Sequence, residues 1–428
     1  MSNQRPAESA SRRWKELKEG WPALLAAFLG VACGIAGLYF YTVGVMLKPM
    51  QADLGWSRAG LSSVLLIGAL TLAAIAPLVG MLVDRIGVRR LAGVSMIGLA
   101  GGFWMFSKVD GTLANFLILN AVLSIVAAGT SPIVLSRLIV VWFDKARGLA
   151  LGAALAGMGV SGAVAPRLLA GYVADHGWRA GYQALALVAL LAAPFVMAFA
   201  SERRNVVADS SSNDPPGVAH SGIELRVAIR SGRFWHVAGL FICVALGVGG
   251  VIVHFIPMLT DAGLPPQRAA TLAGLVGVSL IVGRVATGAL IDRMFAPRVA
   301  AALFAVAALG CFALLWGGMA LAPFAAIAMG LAMGAEVDLI GYLVARYFGL
   351  RAYGAIYGWQ YSAFMVGLAV SPLLAGLIFD STHSYRYALL GAGILLSAAV
   401  LIASRLGPFP SFDLPRQDEG SNAGPAAR

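Results

Sequence analysis

Lysine is scarce in this chain of 428 residues, with five copies at positions 15, 18, 48, 108 and 145. None sits in a G-x-x-x-x-G-K-[ST] loop and no soluble nucleotide-binding domain is present, so ATP-driven pumping would need a separate subunit. Charge of either sign is scarce too: 12% of residues are Asp, Glu, Lys or Arg, about half the share in soluble domains. The three cysteines, Cys33, Cys243 and Cys311, are scattered through apolar runs. An odd, scattered set argues against disulfides or a metal site and reads as small buried hydrophobes. No HExxH, GxSxG or Cys/His cluster occurs, so neither catalysis nor a cofactor or metal is expected.

What fills the chain is apolar: 59% hydrophobic residues and a mean hydropathy of +0.82. Repeated runs of about 20 apolar residues mark a polytopic membrane protein. Backbone polar groups must be satisfied internally in lipid, so the runs are expected to be helices. Twelve can be marked, at 22–47, 58–83, 90–107, 112–140, 147–174, 180–200, 234–260, 267–291, 298–318, 321–345, 352–379 and 385–404. The expected fold is therefore an all-α membrane protein with two pseudo-symmetric six-helix bundles, 22–200 and 234–405. Residues 1–21 read as a cytoplasmic, partly helical lead-in, too charged for a cleavable signal peptide. Residues 201–233, containing SERRNVVADSSSNDPPG, read as a linker, and 406–428 as a disordered tail.

The net charge of +11 reads as topology rather than nucleic-acid binding. With the N-terminus inside, the termini and even-numbered loops hold 22 Lys/Arg. The opposite loops hold six: Lys48, Arg58, Lys108, Arg179, Arg268 and Arg386. This split places both termini in the cytoplasm. The halves also repeat. GMLVDRIGVRR at Gly80–Arg90 is echoed by GALIDR from Gly288, offset by 208 residues, and LLAG at Leu168–Gly171 recurs at Leu373–Gly376, offset by 205. Parallel repeats of this kind form transporters, with the site between the halves near the midplane.

Six ionisable residues fall within the runs: Arg137, Arg167, His254, Arg284, Glu336 and Asp338. Charge is costly in a bilayer, so each is a candidate for function. Arg284 either holds a substrate carboxylate bidentately or pairs structurally with Glu336 or Asp338. Those two acids lie about 200° apart on a helix, so one can face a cavity while the other meets an arginine. Burial favours the neutral form of a carboxyl, which suits a proton carrier, and static charge balance is the alternative. Arg167 stands where the repeat has Pro372. This asymmetry fits substrate contact, an ion pair or snorkelling. Arg137, near the inner edge, fits snorkelling. His254 fits anion binding, proton relay or a helix-interface hydrogen bond. Tyr39, Tyr41 and Tyr361 fit either a polar cavity lining or packing. Gly148, Gly152, Gly157, Gly159 and Gly162 form a small-residue face for close helix packing.

Gly80, Asp84, Arg85, Gly87, Arg89 and Arg90, between the second and third of twelve segments, match the signature loop of the major facilitator superfamily. The chain resembles that superfamily from Trp21 to Arg405. The resemblance implies that Asp84 and Arg85, echoed by Asp292 and Arg293, latch the cytoplasmic helix ends and release as the halves rock. A narrower resemblance is to its bacterial monocarboxylate and oxalate/formate porter-like branch. That rests on Gly55-Trp56-Ser57-Arg58, Trp142-Phe143 with Arg147-Gly148, Gly177-Trp178-Arg179, His254-x-x-Pro257 with Asp261 and Gly263, and Gly283-Arg284 with Gly288. It implies Arg284 as the carboxylate contact and proton symport or anion exchange as the coupling. The chain departs from the animal carriers in lacking their helix-one signature. It also has Leu280 where they have an aspartate, leaving Glu336 and Asp338 as the acids available to take that place.

The expectation is a monomeric secondary transporter of the inner (plasma) membrane that moves a small organic anion, a monocarboxylate, with protons and without nucleic-acid partners. Its rivals are a drug or neutral-solute carrier of the same fold and a non-transporting receptor.

Overall fold

The computed structural model describes residues 4–56, 58–201 and 222–412. The polar stretch of the linker and the last 16 residues of the tail lie outside the described residues. The helices are α1 (Gln4–Ala32), α2 (Phe40–Leu54), α3 (Arg58–Ile86), α4 (Val88–Phe106), α5 (Leu113–Val126), α6 (Pro132–Trp142) and α7 (Arg147–Phe199) in the first half. The second half has α8 (Leu225–Arg230), α9 (Gly232–Val253), α10 (Phe255–Asp261), α11 (Pro266–Ile291), α12 (Ala296–Gly317), α13 (Ala322–Phe348), α14 (Tyr353–Thr382) and α15 (Arg386–Arg405).

Eight helical stretches are long and apolar enough to cross a membrane, and two of them, Arg147–Phe199 and Ala296–Phe348, run for 53 residues each. The first of these breaks at Gly177, whose φ of 84° only glycine adopts freely, and the second breaks between α12 and α13. Adding α4 and the α5–α6 pair, the helices follow the twelve segments expected from the sequence. Leu78, Val94, Leu168, Trp316 and Leu373 are among many large apolar side chains left on the outside, as a protein solvated by lipid requires.

Gly177 does more than break a helix. It turns Trp178 and Arg179 toward α2, where Trp178 Nε1 donates to Asp53 Oδ2 at 3.0 Å. Arg179 bridges Asp53 and Asp110, the latter at 2.7 Å. The Arg179 hydrogen bond, helped by Trp178, holds the Asp53 carboxyl below its usual range. The three charged groups are solvent-accessible, so their ion pairs orient loops more than they stabilise the fold.

The start of α1 and the stretch after α15 lie on one face of the bundle, here called the terminal face. Arg13 Nη2 donates to the Asp292 carbonyl at 2.8 Å, and Tyr347 OH donates to the Gly407 carbonyl at 2.7 Å. The lead-in, expected to be partly helical, is helical from Gln4 and continuous with the first span, and Glu16 accepts from the backbone amides of Asp144, Lys145 and Ala146. The described start of the tail, 406–412, packs against the bundle. Leu406 is buried and Phe409 packs on Phe295 and Tyr347 under the Arg346 guanidinium. The aromatic ring at 409 supplies apolar area that the Pro/Gly content of the tail obscured.

The halves meet along two related seams, α3 on α14 and α7 on α11. A Cβ on Gly80 would overlap the Gly354 carbonyl, and one on Gly148 would overlap the Gly288 carbonyl. Backbones in lipid approach this closely only through small residues. We expect Gly80→Ala to lower the thermal midpoint through about 1–3 kcal/mol of overpacking. Gly101→Ala, at a helical site with no heavy atom within 4 Å of the new Cβ, should raise it slightly, by up to about 1 kcal/mol of helix propensity. Equal midpoints for the two variants would show that the α3–α14 seam is not close-packed.

Candidate functional site

A cavity with about 940 Å³ of empty space lies between the halves. Its walls come from the broken start of the first half, α3, α5, α7, α11, α13 and α14. The break matters: residues Ile35–Tyr39 form a short π-helix between α1 and α2, and π-turns often mark functional sites. This turn places Tyr39 in the cavity wall, where its hydroxyl donates to Asn120 Oδ1. Asn120 in turn donates to the Val64 carbonyl at 2.7 Å.

Arg284 lines the cavity from α11 and is 3% exposed. Its Nη1 donates to Asp338 Oδ1 at 3.1 Å and to the Leu155 carbonyl at 3.3 Å. The first partner is on α13 of the same half and the second on α7 of the other half. Glycines make the α11–α13 contact possible: a Cβ on Gly334, one turn before Asp338, would meet the Arg284 nitrogen at 2.9 Å. Arg284 Nε is buried without a partner, and Nη2 has no hydrogen bond among the described residues. The guanidinium thus keeps unpaired the side edge that could grip a carboxylate through two parallel bonds.

Glu336 also lines the cavity, and its Oε2 is buried without a partner. Asp338 is fully buried and is not in the wall. The 200° separation therefore divides the two acids as anticipated, one toward the cavity and one on the arginine. Tyr41 and Tyr361 join the wall.

Two other candidates lie elsewhere. Arg167 is exposed on α7, nine residues after the cavity-lining Met158, and nine residues at 100° each place it on the opposite helix face. His254 sits at the α9–α10 junction, with Nε2 3.1 Å from the Pro372 carbonyl and Nδ1 3.4 Å from Tyr385 OH. The ionisable-residue search missed Asn120, Ser124 and Ser131. A lone Asn within the apolar run FLILNAVLSIV was the available signal. Among the described residues no cluster of three metal-ligating side chains occurs.

The latch motif lies apart from the cavity, on the terminal face. Asp84, at the end of α3, accepts from the Gly354 and Ala355 amides at 3.0 and 2.9 Å, capping α14 of the other half. It also pairs with Arg137, so Arg137 does not snorkel. Its basic partner is Arg137 rather than Arg85. Arg85, Arg89 and Arg90 are exposed and make no ion pair among the described residues. The second copy is reciprocal: Asp292 accepts from the Gly148 and Leu149 amides at 2.6 and 2.9 Å, capping α7. Arg293 is exposed. A carboxylate at a helix N-terminus satisfies otherwise unpaired amides and the helix dipole together.

The family model for the Major Facilitator Superfamily matches residues 27–359, and the chain belongs to that superfamily. It is 33% identical over 159 residues to monocarboxylate transporter 12 of Rattus norvegicus, covering 36% of this chain and 32% of that one. It is 27% identical over 280 residues to monocarboxylate transporter 13 of Bos taurus, covering 64% and 63%. The matches thus span about a third of the rat protein and under two thirds of the bovine one. Among solved structures, the E. coli fucose:proton symporter FucP superposes with a TM-score of 0.68 at 14% identity, over 90% of this chain and 97% of that one.

Proposed function

We propose that the chain is a secondary transporter that moves a small organic anion, a monocarboxylate, across the cell's inner membrane by alternating access, coupled to protons. The observation that carries this reading is Arg284, a cavity-lining guanidinium with an unpaired edge beside the partnerless Glu336 carboxyl. Tyr39, Tyr41 and Tyr361 complete the binding wall, and Arg167 and His254 take no part in it. The relatives named as monocarboxylate transporters support the cargo class. The arginine-rich terminal face supports a cytoplasmic position for both termini, and the two aspartate caps act as the latch that closes that face.

Glu336 is the proposed proton carrier, with Asp338 held as the counter-charge of Arg284. In proteoliposomes, an inward proton gradient should accelerate uptake of a labelled monocarboxylate. In Glu336→Gln that acceleration should vanish while exchange of internal for external anion persists. Uptake indifferent to the gradient in the unmodified protein would overturn proton coupling. A carrier of neutral or drug-like solutes would instead take up the amide of the acid as fast as the acid.

A further inference from the structure

We infer that the cargo is an amphipathic monocarboxylate with a large apolar or aromatic body, rather than a short hydroxy acid or a dicarboxylate. The inference rests on the reading of Arg284 as the carboxylate anchor and concerns the rest of the molecule bound there. The lining is drawn from both halves, from Ile35 to Leu368, a longer wall than a three-carbon acid can cover.

The walls are predominantly apolar. Phe40, Leu72, Met158, Met333, Phe364 and Leu368 face the space from both halves. Apolar surface of this extent gains by covering a hydrocarbon body, and the wall's three methionines, Met158, Met333 and Met365, can adapt to its shape.

The charge inventory excludes a second carboxylate. Arg284 is the one cation among the described lining residues, and the acid there is the Glu336 carboxyl. A dicarboxylate would set its far end in an apolar wall or against Glu336, without a cation in either case. On the first half the polar groups are neutral. Ser131 Oγ is buried without a partner in the wall, which suits one neutral hydrogen-bonding group on the body, such as a carbonyl or hydroxyl.

The test is calorimetric binding to the purified full chain in nanodiscs, using propanoate, hexanoate, phenylacetate, succinate and phenylacetamide. Each added methylene should tighten binding about four-fold, so hexanoate should bind tens of fold tighter than propanoate. Phenylacetate should at least match hexanoate, and succinate should bind no better than propanoate. A flat series, or succinate tightest, overturns the inference and leaves the anion reading standing. Phenylacetamide binding as tightly as phenylacetate would instead sink the role of Arg284. Phe364→Ala should weaken phenylacetate by a several-fold larger factor than it weakens propanoate. Equal loss for both acids counts against the apolar wall as the selector.

Discussion

Arg284→Gln should cut uptake of a labelled monocarboxylate at least a hundredfold. Each hydrogen bond between a charged donor and a charged acceptor contributes about 1.5–3 kcal/mol. A two-bond grip is therefore worth roughly 3–6 kcal/mol, and every 1.4 kcal/mol is a factor of ten. The same change removes the cation from Asp338, which is fully buried. Breaking one side of a buried pair costs about 3–5 kcal/mol in stability, so lost uptake alone could reflect lost protein. The double variant Arg284→Gln with Asp338→Asn separates the two effects: its thermal midpoint should recover and its uptake should not. Arg284→Lys keeps the charge without the planar fork and should fall between. Wild-type uptake by Arg284→Gln would end the anion assignment.

The second large effect is expected at Asp84. In Asp84→Ala the terminal face should open, shifting the conformational equilibrium about a hundredfold. The side chain caps α14 through two amides and pairs with Arg137. A lost cap costs about 0.5–2 kcal/mol, and removing one side of a buried ion pair costs about 3–5. Part of that total falls on both conformations, so a shift of roughly 3 kcal/mol is a fair central value. The readout is thiol labelling of a cysteine placed at Val83, which is fully buried with its side chain against Gly354 across the α3–α14 seam, with the three native cysteines replaced. Labelling should accelerate in Asp84→Ala and far less in Arg85→Ala, because Arg85 is exposed. Unchanged labelling in Asp84→Ala would show that the cap does not hold the face closed.

The fold was legible because lipid leaves the chain few options. Long apolar runs have to be helices, and the repeat of Gly80–Asp84 at Gly288–Asp292 announced two equivalent halves. Charge in those runs led directly to Arg284, Glu336 and Asp338. Which of the two acids meets Arg284 was not legible, because it depends on the α11–α13 approach that Gly334 permits. Arg137 was misread for the same reason, since its partner Asp84 is 53 residues away on another helix. Neutral polar groups escaped because a search by charge passes over Asn120 and Ser131. The packing of Leu406 and Phe409 escaped because one ring outweighs a disorder-like composition around it.

The arginine that lines the cavity also stitches the two halves together, since its Nη1 reaches the Leu155 carbonyl across the seam. Eight residues further along, about 12 Å on a straight helix, α11 ends at Asp292, which caps the helix that contains Leu155. A ligand that draws the guanidinium toward itself competes with that stitch. Occupancy of the cavity and cohesion of the seam are then antagonists sharing one side chain, so a loaded carrier is easier to pry apart than an empty one.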